Sequence, residues 1–255
     1  MSLSLGLGLG LGAHRKGDRY GNMPATFTIP AGFVDTGLKR INFSEPVTVT
    51  ITGGVTLSIG STQYQSGDTI PVASSYHELT INNPGAEAGT ITFGKRKQIT
   101  YLYLNTLSGG ARITGDITGM KLTYLRLGYL GSSVITGDIT GMKLIALYLR
   151  NLGSSSLTYG TNPLNITDTT GIQLLGDTVF SASEYIQLFA DAATCVTEGK
   201  WTAATKIMTI SGGDNPGWSN VSAYYTTIVG GGVTVKVPLA WETGEDAFPE
   251  ATPNP

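Results

Sequence analysis

Histidine and cysteine are almost missing from this 255-residue chain: His14 and His77 lie far apart, and Cys195 stands alone. A single cysteine excludes an intramolecular disulfide framework and a cysteine-based zinc site. Two remote histidines argue against a His-built metal site or a Ser-His-Asp triad. No Walker loop, dinucleotide-binding glycine fingerprint or nucleophile elbow is present. The 18 acidic residues form no pair at the fixed separation a glycosidase needs. Charge is scarce too, at 13% of residues against about 25% in ordinary soluble domains. The net charge of −2 gives no electrostatic footprint for nucleic acid. No apolar run is long enough to span a membrane. These absences predict a protein without enzymatic activity, cofactor or metal, and without membrane insertion.

What is abundant is glycine, 35 residues, about double the usual share of roughly 7%, and a repeat. Ile113-Thr114-Gly115-Asp116-Ile117-Thr118-Gly119-Met120-Lys121-Leu122 recurs letter for letter at Ile135 to Leu144, 22 residues on. Periods of about 20–50 residues mark stacked-repeat architectures. The segments starting at Ile99, Leu122 and Leu144 share the form L-x-x-L-x-L, with Ile in the first place of the first. In an extended chain successive side chains alternate between faces. Leu102 and Leu104, Leu125 and Leu127, and Leu147 and Leu149 then point inward. One copy cannot shelter its leucines, but stacked parallel copies can. Ile113, Ile117 and Met120, with Ile135, Ile139 and Met142, are expected to fill the far side of that core.

Outward, the same alternation makes three columns: Tyr101, Tyr124 and Ala146; Tyr103, Arg126 and Tyr148; Asn105, Gly128 and Arg150. Tyr and Arg are enriched at recognition hot spots, so Tyr101, Tyr103, Tyr124, Arg126, Tyr148 and Arg150 are the candidate binding residues of an exposed strand face. Packing against a symmetry mate and plain β-surface preference of tyrosine are the competing explanations. The stacked pairs Gly115-Asp116 and Gly137-Asp138 invite a calcium reading, but a turn-capping role fits better.

This grammar resembles the leucine-rich repeat, in its variant with a second strand on the convex side. It departs at the asparagine position, filled by Leu107, Leu130 and Leu152, so an apolar row must replace the usual asparagine ladder. Residues 181–237 are similar to the terminal module of repeat proteins from bacteriophage particles and gut-bacterial surfaces. There, Ser181 with Glu184 reads as a capping box opening a helix that carries Tyr185, Ile186, Leu188, Phe189, Ala192 and Ala193 on one face and a buried Cys195. A strand over 206–213, a short helix over 221–228 and a strand over 233–237 follow.

The expected fold class is mainly β: an N-terminal β-sandwich-like unit, then a short leucine-rich-repeat solenoid with an α/β C-terminal cap. Residues 1–23 form an arm in which Leu3, Leu5, Leu7, Leu9 and Leu11 alternate with Ser or Gly. As an added strand, this arm would anchor the chain on another subunit; a disordered terminus is the plainer alternative. A secretory signal is not read here, because the basic cluster His14-Arg15-Lys16 follows the apolar run instead of preceding it. Residues 24–98 carry strand candidates 25–29, 38–43, 47–52, 56–59, 69–72, 78–82 and 89–93, separated by turn signals. Lys95-Arg96-Lys97 reads as a solvated linker before the repeats of 99–237. The acidic, proline-bearing tail 238–255 is expected to stay mobile or dock on a neighbour.

The resemblance and the arm together imply a virion protein, a head or tail fibre or capsid decoration. It would bind other virion proteins (capsid or tail subunits) through its arm. By analogy it would assemble as a homotrimer or other cyclic homo-oligomer, and display the repeat face to host or mucosal glycans. A bacterial cell-surface adhesin with immunoglobulin-like and repeat parts, and an accessory domain of a carbohydrate-active enzyme, are the competing readings.

Overall fold

The computed structural model describes residues 16–35, 37–105, 112–177, 180–243 and 246–249. The arm leucines Leu3 to Leu11, His14 and Leu107 lie outside the described residues. The protein is mainly β, with two large mixed sheets, a few helices and no closed barrel.

A short helix, α1 (Lys16–Gly21), leads into eight strands: β1 (Pro24–Ile29), β2 (Leu38–Phe43), β3 (Val47–Thr52), β4 (Thr56–Ile59), β5 (Thr62–Tyr64), β6 (Thr69–Ile70), β7 (His77–Asn82) and β8 (Gly89–Lys95). Alternation of apolar and polar residues buries one face of β3, with Val47 and Val49 inward and three threonines outward. All neighbours in this region are antiparallel: β1, β3, β6 and β8 form one sheet, and β2, β4, β5 and β7 the other. A charge enters the core between these two sheets. Lys39 is fully buried, donating to the Asp35 carboxylate and to the Gly37 carbonyl. Asp35 is fixed in turn by the Ile81 N–H at 2.7 Å.

Next the chain alternates between sheets. β9 (Ile99–Asn105), β11 (Tyr124–Gly128), β13 (Ala146–Arg150) and β15 (Ile172–Leu175) lie parallel in one sheet. β10 (Thr114–Asp116), β12 (Val134–Asp138) and β14 (Ser156–Thr158) lie parallel in the other. Both runs grow directly from the antiparallel region, since β9 pairs with β2 and β10 with β1. The register aligns Leu102, Leu125 and Leu147, and their side chains are 2%, 0% and 0% exposed. Each such leucine contributes about 2 kcal/mol of burial. Ile113, Ile117, Met120, Ile135, Ile139 and Met142 close the core opposite, as expected.

The apolar row at the asparagine position is present in Leu130 and Leu152. Its polar work falls to residues the pattern did not single out. The buried Ser133 hydroxyl accepts the Ile113 N–H, the Ser155 hydroxyl accepts that of Ile135, and the Asn162 side-chain Oδ1 accepts that of Met142. Arg96 departs from the expected solvated linker. It is buried beside the first copy, where its Nη1 donates to Asp116 at 2.6 Å and to the Thr118 carbonyl at 3.1 Å.

The far end is α/β. Helix α2 (Ala182–Thr197) starts at Ser181 with its capping box to Glu184 and buries Cys195 on its inner side. β16 (Ile207–Ile210), α3 (Trp218–Gly230) and β17 (Thr234–Lys236) follow, and the two strands extend the parallel sheet. The acidic tail differs from expectation in its described part. It docks on its own chain, because it carries two aromatic anchors: Trp241 meets Tyr185 edge-on at 5.0 Å, and Phe248 packs on Phe189 and Trp218. Asp246 accepts the Ser219 N–H at 2.7 Å, at the start of α3.

Candidate functional site

The six candidate residues are brought together on the outer face of the ten-stranded sheet, in the columns that alternation predicts. Tyr101 is level with Tyr124 and Ala146, Tyr103 with Arg126 and Tyr148, and Asn105 with Gly128 and Arg150. The face is less open than an exposed strand face. Tyr103, Tyr124 and Tyr148 are only 7%, 7% and 8% exposed, while Tyr101, Arg126 and Arg150 are half-buried. The physical reason is mutual cover: parallel strands sit about 4.8 Å apart, a spacing at which neighbouring planar groups stack.

Two ladders result. In the first, the rings of Tyr76, Tyr101 and Tyr124 stack, with centroids 5.5 Å and then 4.3 Å apart, the second pair nearly parallel at 7°. Burial, and then the neighbouring Tyr124, push the Tyr101 phenol well above its ordinary value, so it stays a neutral hydroxyl. In the second, cations and rings alternate across four strands: Arg40, Tyr103, Arg126 and Tyr148. The Arg40 guanidinium lies 4.3 Å from the Tyr76 ring and 5.4 Å from that of Tyr103. Arg126 is held between two rings, 4.8 Å from Tyr103 and 4.3 Å from Tyr148. Each such contact contributes about 0.5–2 kcal/mol, more where water is excluded.

Alternation within the repeats could not reveal Arg40, Tyr76 or Tyr129. The first two join the face only because β2 pairs beside β9. Tyr129 follows β11 in the left-handed region at φ 51°, 39% exposed, with Arg150 4.7 Å from its ring. Asn151 and Gly176 hold the same conformation after β13 and β15, at φ 49° and 71°. A bulky residue in that conformation costs about 1–2 kcal/mol, which the Arg150 contact helps to offset. Gly128 is required for a different reason. A Cβ there would lie 2.7 Å from the Asn105 side-chain oxygen, which covers the position.

Charge on this face is uneven. Arg40 pairs with Glu78 at 3.2 Å. Among the described residues neither Arg126 nor Arg150 has a carboxylate partner, and the covered Nε of Arg126 has no hydrogen-bond acceptor.

On the opposite sheet an open groove of about 850 Å³ is lined by Tyr20, Asp138, Thr140 and Ser156, among others. The turn-capping role of the Gly-Asp pairs holds: Asp116 accepts the Thr118 N–H at 2.9 Å, and Asp138 that of Thr140 at 2.8 Å. Among the described residues no cluster of three or more His, Cys, Asp or Glu could hold a metal ion. No protein-family model, curated protein or solved structure matches this chain.

Proposed function

We propose that this chain is a non-enzymatic structural protein of a bacteriophage particle, a head or tail fibre or decoration protein. Its Leu/Gly arm fixes it to capsid or tail subunits, and the stacked copies, a short leucine-rich-repeat solenoid, display the Tyr/Arg face for recognition of host or mucosal glycans. The arm's alternating leucines support the particle assignment, while the likeness of residues 181–237 to the terminal module shared by phage-particle and gut-bacterial surface proteins supports the repeat class. The recognition half is carried by one observation: Arg126 held between two tyrosine rings, with no carboxylate partner among the described residues. Rigid aromatic side chains lose little entropy on binding, and the exposed Tyr129 ring beside Arg150 offers a flat stacking surface for sugars.

Deleting residues 1–13 is expected to leave a soluble, folded protein that no longer joins particles, as read by co-purification with assembled virions. Normal incorporation of the truncated chain would remove the anchoring role. Display of the full chain on a glycan array tests the recognition half, and absence of binding to every sugar would remove it.

A further inference from the structure

We infer that the Tyr/Arg face selects carboxylate-bearing glycans, with Arg126 and Arg150 as the anion-binding residues. This rests on the recognition reading above and names the chemistry of its ligand.

Arginine carries five N–H donors in one plane and no acceptor. At Arg126 both faces of that plane are occupied by rings, at 4.8 Å and 4.3 Å, and the Nε edge is covered. Nothing among the described residues accepts from the terminal nitrogens. A guanidinium whose orientation is already fixed binds a carboxylate bidentately with little further loss of freedom. Arg150 stands two residues beyond Tyr148 on the adjacent strand, set against the exposed Tyr129 ring. The same face also carries Lys236, whose register position connects through Thr209 and Gln173 to Tyr148. Lys236 is exposed and has no carboxylate partner among the described residues. Arg126, Arg150 and Lys236 thus give this face three cations without a carboxylate partner among the described residues, and local positive charge draws anions to it.

The anion is a sugar rather than an acidic peptide because of the backbone. Peptides that add to sheets bind through free main-chain groups at an edge. Here the six residues sit inside the sheet, where β9, β11 and β13 have both neighbours in place. Recognition is left to side chains, and these are flat phenol rings beside guanidinium groups. The ladder rings cover one another, so a pyranose ring stacks on the exposed Tyr129 ring while its carboxylate meets the guanidinium groups beside it.

The test uses the full chain, with oligogalacturonate and its methyl ester as paired probes, and polyglutamate as the peptide control. The acid form is expected to bind about tenfold or more tightly than the ester, with affinity falling as salt rises. Arg126→Gln and Arg150→Gln should each weaken the acid form about tenfold and leave ester binding unchanged. Arg126→Lys keeps the charge but loses the fork, and should recover only part of the loss. Arg150 is half-buried on the surface, so its variant remains informative if the Arg126 variants fold poorly. Equal binding of acid and ester, or no effect of Arg150→Gln, overturns this inference and leaves glycan recognition standing. Preference for polyglutamate over both sugars overturns it in favour of an acidic peptide. No sugar binding at all removes the recognition reading itself.

Discussion

The decapeptides at Ile113–Leu122 and Ile135–Leu144 are identical in sequence, yet the fold gives them different work. Asp116 is bound by Arg96, while the Asp138 carboxylate has no cation among the described residues and accepts the Thr140 N–H. At Gly119, at φ 80°, a Cβ would lie 2.6 Å from the Gly21 nitrogen and 2.7 Å from atoms of Tyr20. At Gly141, at φ 77°, a Cβ would meet nothing within 4 Å. The turn letters are therefore a part-covered seam in one copy and an open surface in the next. Position in the stack assigns the role, and local sequence supplies only the shape.

Alanine at the two glycines should separate the copies most. Gly119→Ala combines a left-handed backbone with a clash against main chain and is expected to cost about 3 kcal/mol. Gly141→Ala meets only the backbone strain, about 1 kcal/mol. Urea unfolding of both variants measures the gap; equal losses would mean that α1 does not rest on the first copy.

The aspartates come next. Asp116→Ala leaves the buried Arg96 without its carboxylate, and with Asp116 partly exposed the loss should be about 2 kcal/mol. Asp138→Ala removes a turn cap alone, below about 1 kcal/mol. A pH dependence accompanies the first. Burial raises the Asp116 carboxyl, but the Thr118 backbone and side chain, with Arg96, outweigh it and hold the group below its ordinary value. A depressed acid stabilises fully above its unfolded value of about 3.9 and loses that contribution as pH falls through the folded one. Asp116→Asn should therefore flatten the acid limb of the stability curve, and an unchanged limb would refute the pairing.

The serines give the smallest contrast. Ser133→Ala orphans the Ile113 N–H in a buried site and should cost about 1–2 kcal/mol, whereas Ser155→Ala, part-buried, should cost about half as much. A reversed order would show that the second serine, which also donates to the Ser133 carbonyl, holds the row.

Much of this was legible in the sequence because period and alternation are local. The repeat placed Leu102, Leu125 and Leu147 in one row, and the strands over 38–43, 47–52 and 56–59 have the expected bounds. The capping box at Ser181 needed only four residues to read. What escaped depends on partners distant in sequence. Arg96 looked like one of three solvated cations until Asp116 was folded beside it. The face looked exposed because alternation reports direction, whereas cover comes from the neighbouring strand. Trp241 and Phe248 were masked by the acids and prolines around them.

The junctions of the two sheets have a last consequence. One end of each parallel run is closed by an antiparallel partner, β2 or β1, and the ten-stranded sheet finishes beside α2 and α3. Growth by 22-residue units is therefore possible only in the middle, where both neighbours of a new unit are like itself. Every unit gained there would carry the helical end about 4.8 Å further from the antiparallel region, so the distance between them changes in fixed increments while both ends of the fold stay unaltered.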